Sequence, residues 1–165
     1  MIDLGTVKET DRGMEARWER RIPHPVEKVW AALTEPARMR EWLADADIDL
    51  RQGGAIELRW LNGDAVMRGR ITRLEDGRVL EYEGEPHGLL RFELSPDRDG
   101  TRLVFTNRIG QTDYPDVALA GWHVHLEMLD DALDGRPTDW ENWPVDRWKE
   151  LHVAYGGDGV VPSAS

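Results

Sequence analysis

The chain of 165 residues contains no cysteine. That removes disulfides, thiolate nucleophiles and cysteine-ligated zinc at once, and it suits a reducing compartment. Serine is nearly as scarce: Ser95, Ser163 and Ser165 are the full set, two of them in the terminal stretch, so no serine-nucleophile constellation can be assembled. Cations are outnumbered as well. The formal charge of -11 repels phosphate backbones and anionic membrane surfaces, so no nucleic-acid partner is expected. Long apolar runs are missing, and "MIDLGTVKETDRG" carries neither a basic lead nor a hydrophobic segment. No signal peptide and no membrane insertion are expected, and the cytoplasm is the expected location.

What the chain does have is tryptophan, eight residues spread over its segments. Large aromatics fill a core or line a cavity that a bulky apolar guest occupies. A chain of this length buries roughly 70% of its unfolded surface in a single core.

Periodicity divides the chain. Residues 1–13 read as a polar N-terminal arm. Met14, Ala16, Trp18 and Ile22 then alternate with charged residues, the period of a half-buried strand, with Arg20 interrupting the inward set. "PHPVEKVWAAL" places Val26, Val29, Trp30 and Leu33 at helical spacing, and Pro36 stops that helix and opens a second, "PARMREWL", with Met39, Trp42 and Leu43 on one face. From Asp45 to Gly110 the period is two, through Ile48 and Leu50, Ile56, Leu58 and Trp60, Leu80 and Tyr82, Leu90, Phe92 and Leu94, and Leu103 and Phe105. Turn signals at Gly53, Asn62, Glu75, Glu85 and Ser95 imply an antiparallel meander. Leu119, Trp122, Leu126, Leu129 and Leu133 form the stripe of one long helix, stopped by Gly135 and Pro137. The expected fold class is α+β, a curved antiparallel sheet wrapped around a long helix, with two short helices after the first strand and a domain spanning residues 14–136. Residues 137–155 read as a Trp-rich extension with a short helix through Val145, Trp148, Leu151 and Tyr155, and residues 156–165 as a flexible tail.

Three stretches, "RRIPHPVEKVWAALTEPARMREWL", "LRFELSPDRDGTRLVFTNRIG" and "GWHVHLEMLDDALDGRP", together with the order of elements, resemble the SRPBCC superfamily, START-like and birch-pollen-allergen-like, in its branch resembling the activator of the heat-shock-protein-ninety ATPase. The likeness spans roughly residues 14–136. It implies a helix-grip fold with a cavity between long helix and curved sheet. Relatives bind lipids, hormones or polyketides, a few act as cyclases or dehydratases, and some serve as chaperone partners, so the resemblance implies a site and leaves its chemistry to the residues. The charged N-terminal arm and the Trp-rich tail depart from the family pattern.

His123 and His125 point roughly 160° apart on a helix advancing about 100° per residue, so they cannot chelate one ion. They read as flankers of the long helix, with His125 the one expected to touch what lies beneath. Asp130, Asp131 and Asp134 spell "DDALD" but lack a facing acidic cluster, and a solvated face is expected. No metal and no cofactor are expected. Arg20 and Asn107 fall on the inward parity of their strands, where a polar group pairs within the protein or orients a guest. Trp18, Trp60, Tyr82, Phe92 and Phe105, with Trp122 and Leu126 from the helix, are the expected apolar lining. The leading expectation is binding of a small apolar or amphipathic molecule. A second is a stress-related chaperone regulator or homodimer built on Trp140, Trp143 and Trp148; a third is a cyclase or dehydratase with His125 as acid or base and Arg20 steadying an enolate.

Overall fold

The computed structural model describes residues 3–11, 13–109 and 115–160. The elements run β1 (Thr6–Thr10), β2 (Gly13–Ile22), α1 (Val26–Thr34), α2 (Pro36–Met39), β3 (Asp45–Ile48), β4 (Ala55–Arg59), β5 (Val66–Glu75), β6 (Val79–Glu85), β7 (Gly88–Asp97), β8 (Gly100–Ile109), α3 (Pro115–Leu133) and α4 (Val145–Ala154), with a single tight helical turn over Trp140–Asn142. The strands form one antiparallel sheet in the order β1-β2-β8-β7-β6-β5-β4-β3. The sheet curves around α3, an α+β helix-grip arrangement.

Residues 6–10, read from sequence as part of a polar arm, are an edge strand: Thr6 pairs with Arg17 and Thr10 with Gly13. The segment is exposed on both faces, so alternation carried no signal of it; hydrogen bonding to β2 holds it. The two short helices therefore follow the second strand.

Burial explains the remaining boundaries. In β2, Ala16, Trp18 and Ile22 are buried while Arg17, Glu19 and Arg21 face solvent. Helix α1 ends where Glu35 turns extended ahead of Pro36. Helix α2 stops at Met39 instead of running to Leu43 as its periodicity suggests. The chain turns there to bury Met39, Trp42 and Leu43 together, and the Trp42 indole donates to the Ala32 carbonyl at 2.8 Å. Packing outweighs one further helical turn. Leu50 falls beyond β3 and is exposed. Strand β5 anchors its inner face with Met67 and Ile71, and Gly69 sits opposite Gly84 on β6, where a Cβ would strike the Glu83 carbonyl.

All five stripe residues of α3 are buried. Gly135, at φ +88°, ends the helix, and the Arg136 N–H closes it onto the Asp131 carbonyl at 2.8 Å. Helix α4 packs along α3, with Trp148 and Leu151 buried, Arg147 bonded to Glu127 at 2.7 Å and His152 bonded to Asp116. Gly159 donates to His152, so residues 156–160 lie against α4; residues 161–165 of the expected tail lie outside the described residues.

Candidate functional site

The concave face of the sheet is packed solid at one end. Trp18 stacks on Phe105 at 5.5 Å, Phe105 on Phe92 at 4.7 Å, Trp42 meets Phe92 edge-on, and Tyr82 joins at 6.3 Å. Each of these five rings is at most 1% exposed. Trp18, Tyr82, Phe92 and Phe105 are therefore core, as is Leu126 on the neighbouring face of α3.

The other end holds a cleft of about 1010 Å³. One wall is the face of α3 carrying Val117, Gly121, Trp122, His125 and Met128, recurring at helical spacing. The opposite wall comes from three places: the loop after β4, opened by Trp60, whose backbone N–H closes it onto the Ala65 carbonyl; the β6–β7 turn with His87; and Asn107 and Ile109 at the end of β8. Trp143 and Trp148 complete it from the C-terminal extension. Of the ten residues expected to line a site, the structure brings Trp60, Asn107, Trp122 and His125 together here.

Rings dominate this wall. Trp60 lies edge-to-face with His87 at 5.0 Å and with Trp122 at 5.7 Å, and His125 is 5.5 Å from Trp60. His125 Nδ1 is 2.9 Å from the Trp42 carbonyl, which only accepts, so the proton sits on Nδ1 and Nε2 carries a lone pair. Burial pulls the His125 pKa down to about 4, against the weaker opposing effect of that hydrogen bond, so the ring is neutral at pH 7. Burial lowers His87 too.

Asn107 is 1% exposed, and its amide nitrogen donates to the carbonyls of His87 and Leu89 at 3.1 and 3.0 Å. Two carbonyl acceptors on one side settle which end of the amide is nitrogen. Asn107 Oδ1, Trp60 Nε1 and His87 Nε2 are buried without a hydrogen-bond partner among the described residues. All three belong to residues that line the cleft, and they are exceptions to the near-universal pairing of buried polar atoms. The ionisable groups of the lining are Asp64 and Glu85, both exposed at the mouth, and the two histidines; no lysine or arginine is among the described lining residues.

Several residues singled out from sequence lie outside the cleft or are bound elsewhere. Arg20 lies outside the cleft, bonded to the Asp3 carboxylate at 3.3 Å and the Asp3 carbonyl at 2.6 Å, so it does not join His125 over a common substrate position. His123 faces away from the cleft. Its Nδ1 is 2.8 Å from the Tyr155 hydroxyl, which also receives the N–H of Gly5 and the indole N–H of Trp18. With two donors on its oxygen, the hydroxyl gives its own proton to His123, whose pKa burial lowers to about 4. The tail tryptophans do not form a free surface: Trp148 is buried and stacks on His152, Trp143 lines the cleft, and Trp140 donates to the Arg40 carbonyl at 2.8 Å. The acidic run is only partly solvated. Asp130 is half-buried, its pKa raised to about 6 by burial, while Asp134 bonds His24 at 2.7 Å. Among the described residues no three His, Cys, Asp or Glu side chains group as a metal site, and no helix is long and apolar enough to cross a membrane.

His87, Gly121 and Met128 escaped the sequence reading, and Trp143 was read there only as part of a protein-contact group. His87 was visible only as part of a turn, where period-two parity assigns no face. Gly121 was legible in principle, because a glycine inside a helical pattern, here beside Trp122 of the stripe, marks a position with a packing or functional reason.

The fold recurs among solved structures. CalU16 from Micromonospora echinospora has a TM-score of 0.73 at 24% identity, covering 95% of this chain and 96% of that one. EF2215 from Enterococcus faecalis has a TM-score of 0.73 at 20% identity, covering 92% and 87%. Protein MLL2253 from Mesorhizobium loti has a TM-score of 0.65 at 27% identity, covering 73% and 97%. No curated protein is significantly similar to the chain. The family model described as activator of Hsp90 ATPase homolog 1-like protein matches residues 23–134, more than half of the sequence, and the chain belongs to that family.

Proposed function

We propose that this protein binds a small hydrophobic or amphipathic molecule in the cleft between α3 and the β4–β5 and β6–β7 loops. The observation that carries the reading is the coincidence of a cavity of about 1010 Å³ with an aromatic wall and three unpartnered buried polar atoms. Small-molecule sites have this form: concave, mostly apolar, with a few convergent polar groups. The neutral histidines add no charge to the interior.

The test uses Nile red, a neutral lipophilic dye, and one blocking variant. Gly121 lines the cleft and a Cβ there meets nothing within 4 Å, so Gly121→Phe is chosen to block it. Wild-type protein is expected to bind Nile red saturably and to melt higher with lipophilic compounds; Gly121→Phe, with unchanged circular dichroism, is expected to lose both effects. Absence of dye binding and of melting shifts in the wild type, or equal binding by the blocked variant, overturns the reading.

A further inference from the structure

We infer that Asn62 is a site of spontaneous modification: attack by the Gly63 backbone nitrogen converts it to aspartate or isoaspartate, and the new carboxylate recharges the mouth of the cleft. The chain has three asparagines, and the fold treats them differently. Asn107 is 1% exposed, and its amide nitrogen donates to two carbonyls. Asn142 donates to the Asp139 carboxylate at 3.0 Å and is followed by a tryptophan. Asn62 is exposed in the loop between β4 and β5 and is followed by Gly63. Among the described residues, neither the Asn62 side chain nor the Gly63 backbone N–H has a hydrogen-bond partner. The bond from the Trp60 backbone N–H to the Ala65 carbonyl ties the ends of the loop at 3.1 Å, and the backbone of residues 61–64 makes none among the described residues.

Glycine has no Cβ, so its nitrogen reaches the preceding side chain without the crowding that any other residue imposes. In the first step a bond forms between the Gly63 nitrogen and Asn62 Cγ, the Cγ–Nδ2 bond breaks, and ammonia leaves with the proton that the Gly63 nitrogen has given up. In the second, one water opens the five-membered ring at either carbonyl, its hydroxyl going to the carbon and its remaining hydrogen to the Gly63 nitrogen. A neutral amide thereby becomes a carboxylate. Asn62, Asp64 and Glu85 are exposed and line the cleft, so the product adds a third acidic side chain there, and no lysine or arginine among the described lining residues offsets it. Resting on the reading of the cleft as a ligand site, the change favours cationic guests over neutral ones.

The experiment ages the full chain at mildly alkaline pH and follows intact mass with peptide mapping, in wild type and in Gly63→Ala. Gly63 is not among the residues with left-handed backbone, and a Cβ there meets nothing within 4 Å, so the variant is expected to fold. Wild type is expected to gain, at Asn62, the mass difference between an amide and an acid, and Gly63→Ala to gain it about tenfold more slowly because the added methyl crowds the attack. Isomerisation at the Asp-Gly pairs leaves the mass unchanged and does not enter this readout. A wild type that holds its mass, a gain mapped to Asn107 or Asn142, or equal rates in the two proteins overturns the inference. Asn62→Asp reproduces the product. Its affinity for the cationic dye thioflavin T relative to Nile red is expected to rise about threefold over wild type at low salt and to lose that rise at high salt; no rise overturns the effect on the cleft. If neither dye binds the wild type, the proposed function fails, whereas the modification of Asn62 stands or falls on mass alone.

Discussion

The two ends of the concave face share one sheet, one side-chain parity and one covering helix, yet one is solid and the other hollow. At the solid end, Trp18, Phe92 and Phe105 stack against one another and Trp42 arrives from the turn after α2 to seal them. At the hollow end the covering residues of α3 include Gly121, and the facing wall is built from loops. Trp122 sits at the boundary, 5.1 Å from Phe105 on one side and 5.7 Å from Trp60 on the other. Polar atoms follow the same division. The Trp18 and Trp42 indoles both find acceptors within the protein, while Trp60 Nε1 has none among the described residues. Interior parity thus produces core where side chains meet side chains and a cleft where they meet loops.

The largest expected effect that tests this contrast is Phe105→Ala, which opens a cavity in the solid end. Destabilisation of about 3–5 kcal/mol is expected in urea unfolding, and a loss below 1 kcal/mol would show the end to be less tightly packed than its contacts indicate. Tyr155→Phe comes next. It strips the Gly5 N–H, the Trp18 indole and His123 of a shared partner and is expected to cost about 1–3 kcal/mol, with faster amide exchange in β1.

Acidification probes both ends through their histidines. His123 and His125 titrate near 4 when folded against an ordinary 6.5, so between those values the unfolded chain holds more protons. Their contribution is full above about pH 6.5 and is lost as pH falls toward 4. Asp130, raised to about 6, acts in the opposite sense and strengthens the fold as it protonates. His87, also lowered by burial, acts with His123 and His125, so with three histidines against one carboxyl the melting temperature is expected to fall between pH 6.5 and 4, and replacing Asp130 by Asn to steepen the fall. Smaller again is Gly121→Ala, expected to stabilise by about 0.5–1 kcal/mol because the new methyl meets open space and an interior helical glycine is removed. Smallest is Trp60→Phe, expected to change stability by under about 1 kcal/mol, since the indole N–H has no partner among the described residues.

Legibility followed the strength of local periodicity. The α3 stripe and the meander strands could be placed because alternation and 3.6-residue spacing reflect burial directly, and the resemblance of residues 14–136 to the helix-grip superfamily agreed with them. Strand β1 was not legible, because an edge strand exposed on both faces has no alternation to show. Arg20 illustrates a subtler limit. Its parity is inward, but Asp3, brought alongside by the pairing of β1 with β2, takes its guanidinium.

Composition and pattern alone determined an acidic, cysteine-free α+β chain with a leucine-striped helix over an antiparallel sheet. Only the tertiary structure decided which inward aromatics became core and which became a wall. Parity states the side of a sheet on which a residue lies, whereas depth along the concave face depends on what arrives from elsewhere in the chain. Trp42 fills one end; Gly121 and the loops holding His87 and Trp60 leave the other open.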